Sequence, residues 1–123
     1  MLKVHAKNLG NVAVLCLQGR IVKGETEMLR KALHSLSEVS AVILDLARVT
    51  AVDARGLGVM LELREQAESK GIRFELMNVT KLVRRVLEVT RLDSVFAVTS
   101  GVEFFQAVSR GRQASMPWLA SCA

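Results

Sequence analysis

The sequence predicts an α/β fold: a single domain with a mixed β-sheet, antiparallel in an N-terminal hairpin and parallel in its second half, packed with about four helices. Three observations predict it. Strand-like apolar runs alternate with stretches of helical periodicity, and a Gly-Asn pair near the start marks a tight hairpin. The chain's 123 residues, 50% of them hydrophobic, make one domain of ordinary size with apolar surface enough for a core.

The elements follow in order. Val4 and Ala6, then Val12, Val14, Leu15 and Leu17, read as two short strands joined at Leu9-Gly10-Asn11, where Gly10 and Asn11 accept the positive φ of a tight turn. Gly19 and Gly24 bracket a polar loop from Arg20 to Lys23. Met28, Leu29, Ala32, Leu33 and Leu36 share one helical face. Ala41-Val42-Ile43-Leu44 is a continuous apolar run, the pattern of a central strand covered on both sides. Asp45 to Gly58 reads as the turn into a longer helix, whose stripe is Leu57, Met60, Leu63 and Ala67 and whose end Gly71 marks.

Phe74 and Leu76 begin a fourth strand closed by Asn78. Leu82, Val83, Val86 and Leu87 give a short helix, and Val95-Phe96-Ala97-Val98 a final strand. Ser100 followed by Glu103 is a capping-box signature for a last helix carrying Phe104, Phe105 and Val108. The domain is expected over residues 2–110, with 111–123 as a tail holding the sole Pro and sole Trp, Pro117 and Trp118. Trp118 either folds back over an apolar patch or anchors the tail on a partner or a second copy, which would be self-association.

Composition narrows the function classes. The longest apolar run, Val12 to Leu17, is far short of the roughly 20 residues of a membrane span. Lys3, His5, Lys7 and Asn8 interrupt the place where a signal peptide would be apolar. Cys16 and Cys122 form neither a disulfide framework nor a zinc pattern, so a cytoplasmic location is expected. Seventeen Lys and Arg against twelve Asp and Glu give a net charge of +5, which suits an acidic partner or a phosphate. With four Phe, one Trp and no Tyr, the chain lacks the rings that stack bases, which argues against nucleic acid.

No catalytic residue and no metal site can be assigned. His5 and His34 stand in no nucleophile–base arrangement, and no His, Cys, Asp or Glu spacing converges on a metal. Glu62, Glu65 and Glu68 intermix with Arg64 and Lys70, the pattern of a solvated helix face. Gly56-Leu57-Gly58 is too short for a P-loop or dinucleotide fingerprint, and no cofactor is expected.

The informative segment is the one entering the second helix. Asp53 suits an N-cap, while Gly56 and Gly58 lower helix propensity by up to about 1 kcal/mol each relative to Ala. A helix start favours anions, so Arg55 works against the dipole. Either the glycines serve tight strand–helix packing with Arg55 pointing to solvent, or this turn is a recognition surface.

The runs Val42-Ile43-Leu44-Asp45-Leu46, Val52-Asp53-Ala54-Arg55-Gly56-Leu57-Gly58 and Glu75-Leu76-Met77-Asn78-Val79, in this order, resemble the STAS domain of bacterial anti-sigma factor antagonists. Arg84-Arg85-Val86-Leu87-Glu88-Val89-Thr90-Arg91-Leu92-Asp93-Ser94-Val95-Phe96 fits the same family. The resemblance implies a domain without enzymatic activity that binds an anti-sigma factor or serine-kinase-type regulator and so controls transcription. In such proteins, phosphorylation of a serine in an Asp-Ser-Ser-Gly-Leu-Gly-like turn breaks the complex, because a phosphate brings about −1.5 to −2 charge into the interface.

Here the two serine positions are Ala54 and Arg55, and Arg55 occupies the one usually phosphorylated. The expectation is therefore a binding module without the phospho-switch. Its expected contact residues are Asp53, Ala54, Arg55, Gly56, Leu57 and Gly58, with Arg20, Lys23 and Glu25 in the neighbouring loop and Asn78 and Thr80 flanking. The alternative is a small-ligand or nucleotide-binding sensor, in which Arg55 and the helix N-terminus hold a phosphate.

Overall fold

A computed structural model describes residues 2–99. The element order is β1 (Lys3–Leu9), β2 (Val12–Ile21), α1 (Glu27–His34), β3 (Ala41–Val52), α2 (Ala54–Ser69), β4 (Arg73–Met77), α3 (Lys81–Val89) and β5 (Ala97–Thr99). The strands form one sheet in the order β1-β2-β3-β4-β5; β1 and β2 are antiparallel, and every later pair is parallel. The mixed sheet read from the sequence is thus the fold, with three helices among the described residues. The fourth, read from Ser100 and Glu103, lies outside them, as does the tail.

Local chemistry explains the strands. Leu9 pairs with Val12, so the hairpin loop is Gly10-Asn11 alone; Gly10 takes φ 63°, while Asn11 is not in the left-handed region. Alternation then sorts side chains to the two faces. Leu15 and Leu17 of β2, Val42, Leu44 and Leu46 of β3, and Phe74 and Leu76 of β4 face the helices. They meet Leu29 of α1, Leu57, Met60, Leu63 and Ala67 of α2, and Val83 and Leu87 of α3. Val14, Cys16, Ile43 and Met77 form a separate cluster to which no residue of the three helices belongs. Cys16 is not a free thiol in the structure, so the cysteine count carries no weight for a reducing compartment.

Three boundaries differ from the sequence reading. The polar stretch after Leu44 is not a turn: β3 continues to Val52, still paired with β2, through two irregularities at Cys16/Gln18 and Gly19/Arg20. These bulges place Ala47, Arg48 and Thr50 in water and break the apolar alternation that marks a strand. Asp45, only 5% exposed, holds the first one by accepting a hydrogen bond from the Ala47 N–H at 3.0 Å. Second, β2 includes Gly19 and Arg20, so the loop before α1 starts after Ile21. Third, β5 starts at Ala97 rather than Val95; the Val95 and Phe96 N–H groups donate to the Leu92 carbonyl in a turn, and Phe96 packs on Phe74 at a ring separation of 6.3 Å.

Candidate functional site

Parallel strands bring the three helix N-termini to the same end of the sheet, beyond the carboxyl ends of β2, β3 and β4. The junction of β3 with α2 is the most elaborated of these. Asp53 is the N-cap, and its Oδ1 accepts a hydrogen bond from the Gly56 N–H at 2.7 Å. Its Oδ2 accepts one from the Lys23 N–H at 3.1 Å, so one carboxylate clamps the loop after β2 onto the helix start. These bonds, Gly56 first and Lys23 second, hold the Asp53 carboxyl below its ordinary range, because they favour the ionised form.

Gly56 is required here by close approach. A Cβ on it would stand 1.7 Å from the Ile21 carbonyl oxygen, the same oxygen that accepts the Asp53 N–H at 3.3 Å. Gly58 differs: a Cβ there would meet nothing within 4 Å. The packing account of the glycines therefore holds at Gly56 and does not reach Gly58.

The expected contact residues divide by exposure. Arg20, Lys23, Ala54, Arg55 and Gly58 are exposed around the junction, whereas Gly56 and Leu57 are buried and hold the helix to the sheet. Arg20 Nη2 pairs with Glu25 Oε2 at 3.0 Å and braces the same loop. Asn78 and Thr80 do not flank this surface. Met77 pairs with Asp45, and β3 then runs on to Val52, on the order of 20 Å further along the strand. Asn78 instead donates from Nδ2 to Asp45 Oδ1 at 3.3 Å, and Thr80 caps α3 by accepting the Val83 N–H at 3.3 Å. The bulged extension of β3 is the reason, since it lifts one strand end away from its neighbour. Thr50, on that extension, donates its hydroxyl to the Gly19 carbonyl at 3.3 Å.

The sequence reading missed a cleft of about 530 Å³ between the first halves of α1 and α2. Beside Lys23, Arg55 and Gly58, it is lined by Thr26, Glu27 and Arg30 of the first helical segment and by Glu62 of the second. The signal was present: Lys23, Thr26, Glu27 and Arg30, and likewise Arg55, Gly58, Val59 and Glu62, follow the i, i+3, i+4, i+7 spacing of a single helical face. No group of three or more His, Cys, Asp or Glu among the described residues is placed to hold a metal. No helix among them is long and apolar enough to cross a membrane.

A five-stranded mixed sheet with its helix N-termini, a clamped strand–helix junction and a cleft with more basic than acidic described residues at one end defines a small α/β domain. The STAS domain family model matches residues 3–110, and the chain belongs to that family. A STAS-domain containing protein of Pseudomonas aeruginosa (strain UCBPP-PA14) is 25% identical over 91 residues, covering 73% of this chain and 90% of that protein. An anti-sigma factor antagonist from Mycobacterium paratuberculosis has a similar structure, with a TM-score of 0.75 at 20% identity over 89% of this chain and 95% of that one. The anti-sigma factor antagonist SpoIIAA in its unphosphorylated form superposes with a TM-score of 0.68 at 21% identity, covering 92% and 99% of the two chains.

Proposed function

We propose that this chain is a regulatory protein-interaction module that binds an anti-sigma factor or related serine-kinase-type regulator in the cytoplasm, controls transcription through it, and works without a phospho-switch. The observation that carries the reading is the β3–α2 junction. Ala54 and Arg55 stand exposed on the first turn of α2, where the family resemblance places the regulatory serines, on a scaffold fixed by Asp53 and Gly56. The scaffold is that of a presented surface; the hydroxyl is gone and a cation stands in its place. Thr50, the nearest hydroxyl on the strand side, is bonded to the Gly19 carbonyl and belongs to the sheet. Binding here needs no chemistry from the chain, only shape and charge.

The test is phosphorylation by a serine kinase that the chain captures. Wild-type protein should show no phosphate at residues 53–58 by mass spectrometry, while Arg55→Ser should become an acceptor and lose the complex. Stoichiometric phosphate on wild-type Thr50 would contradict the loss of the switch. The cleft beside Arg55 favours one second reading, a small-ligand or nucleotide sensor, because Lys23 and Arg55 face it. A nucleoside phosphate that raises the melting temperature of wild type and not of Arg55→Glu would support it.

A further inference from the structure

Two side-chain rungs join α1 to α2: Arg30 Nη2 to Glu62 Oε1 at 3.1 Å, and His34 Nε2 to Gln66 Oε1 at 3.1 Å. Each rung joins residues 32 positions apart, so the helices run parallel in register. One turn nearer the N-termini the same offset pairs Thr26 with Gly58, and the rung is missing because Gly58 has no side chain. Packing does not demand that gap, since a Cβ would meet nothing within 4 Å. The gap opens the cleft.

Residues that line the cleft carry hydrogen-bond donors that are unspent. Thr26 is 9% exposed, yet its side chain neither caps α1 nor hydrogen-bonds to any described residue. Arg30 Nε is buried without a partner although the same guanidinium holds Glu62. Lys23 and Arg55 form no ion pair with a described residue. A buried donor without an acceptor is costly, so a group that supplies one gains affinity.

We infer that the cleft receives the carboxylate side chain of an acidic segment on a partner protein, which completes the missing rung against Thr26 and Arg30. Charge favours one carboxylate: among the described residues, Lys23, Arg30 and Arg55 against Glu27 and Glu62 leave a single net positive charge on the lining, too little for a polyphosphate. No aromatic ring among the described residues lines the cleft to stack a base. The inference rests on the interaction-module reading and names where the partner inserts.

The experiment is an NMR titration of the full chain with the blocked peptide acetyl-Leu-Glu-Leu-Ala-amide, its Gln counterpart, inorganic phosphate and ATP. The acidic peptide should shift the Gly58 amide and the Arg30 Nε–H, and bind roughly tenfold or more tighter than the Gln peptide. Gly58→Leu, which puts an apolar side chain into the cleft at a position where a Cβ meets nothing within 4 Å, should abolish those shifts while the melting temperature stays at the wild-type value. No shift at Gly58 or Arg30, equal binding of the Gln peptide, or tighter binding of phosphate or ATP would each overturn the inference. Capture of the kinase-type partner separates the two claims. If Arg55→Glu loses the partner and Gly58→Leu keeps it, the module reading stands and the cleft inference fails.

Discussion

Gly56 and Gly58, two residues apart, do opposite things. With its Cβ position 1.7 Å from the Ile21 carbonyl oxygen, Gly56→Ala must push the start of α2 off the end of β2. The expected cost is about 3 kcal/mol or more, the upper end of overpacking effects. Gly58→Ala has open space and removes only a poor helix former, so it should stabilise by about 0.5–1 kcal/mol. Urea denaturation of the two variants checks both signs at once. Asp53 adds a pH dependence. Its folded-state pKa lies below the ordinary aspartate value of 3.8, so the bonds to Gly56 and Lys23 stabilise fully above that value. The contribution is lost as pH falls through the lower folded value. Asp53→Asn should therefore flatten the melting temperature between pH 5 and about pH 3 compared with wild type; an unchanged slope would deny the clamp.

Helices with a clean stripe were legible element by element, and β3 was not. Leu57, Met60, Leu63 and Ala67 gave α2 its length, and all four are buried in the core. Gly10 located the hairpin because a two-residue loop needs a residue that tolerates positive φ. The far half of β3 was hidden for a physical reason: each bulge adds a residue without a partner on β2, and the exposed Arg48 and Thr50 then read as loop chemistry. The site inherited that error, since a turn at Asp45 would have put Asn78 and Thr80 beside Asp53. The α1–α2 cleft stayed invisible because it requires two separate helical faces to be aligned in register. At this scale Asp45 is the residue to test. Asp45→Ala takes the acceptor from the bulge N–H of Ala47 and removes one hydrogen bond of the Asn78 amide, and should destabilise by about 1–3 kcal/mol, read from chemical denaturation. A loss below about 0.5 kcal/mol would mean the bulge holds itself.

In the whole molecule, parallel topology brings the three described helix N-termini to one end. The carboxyl ends of β2, β3 and β4 lead into helix N-termini; β2 and β3 end level, Ile21 opposite Val52, beyond the end of β4, and leave Ala54 and Arg55 exposed. Arg55 opposes the α2 dipole there, so its charge does not stabilise the helix. Arg55→Glu should therefore leave the fold intact or raise its stability by about 0.3–1 kcal/mol, while placing a repulsive charge at the interface. The most direct measurement is affinity capture from a lysate of the native cells with wild-type protein and Arg55→Glu in parallel, the variant first shown to melt at or above the wild-type temperature. Wild type is predicted to retain an anti-sigma or serine-kinase-type regulator and Arg55→Glu to lose it; equal retention by both would place Arg55 outside the interface and contradict the account.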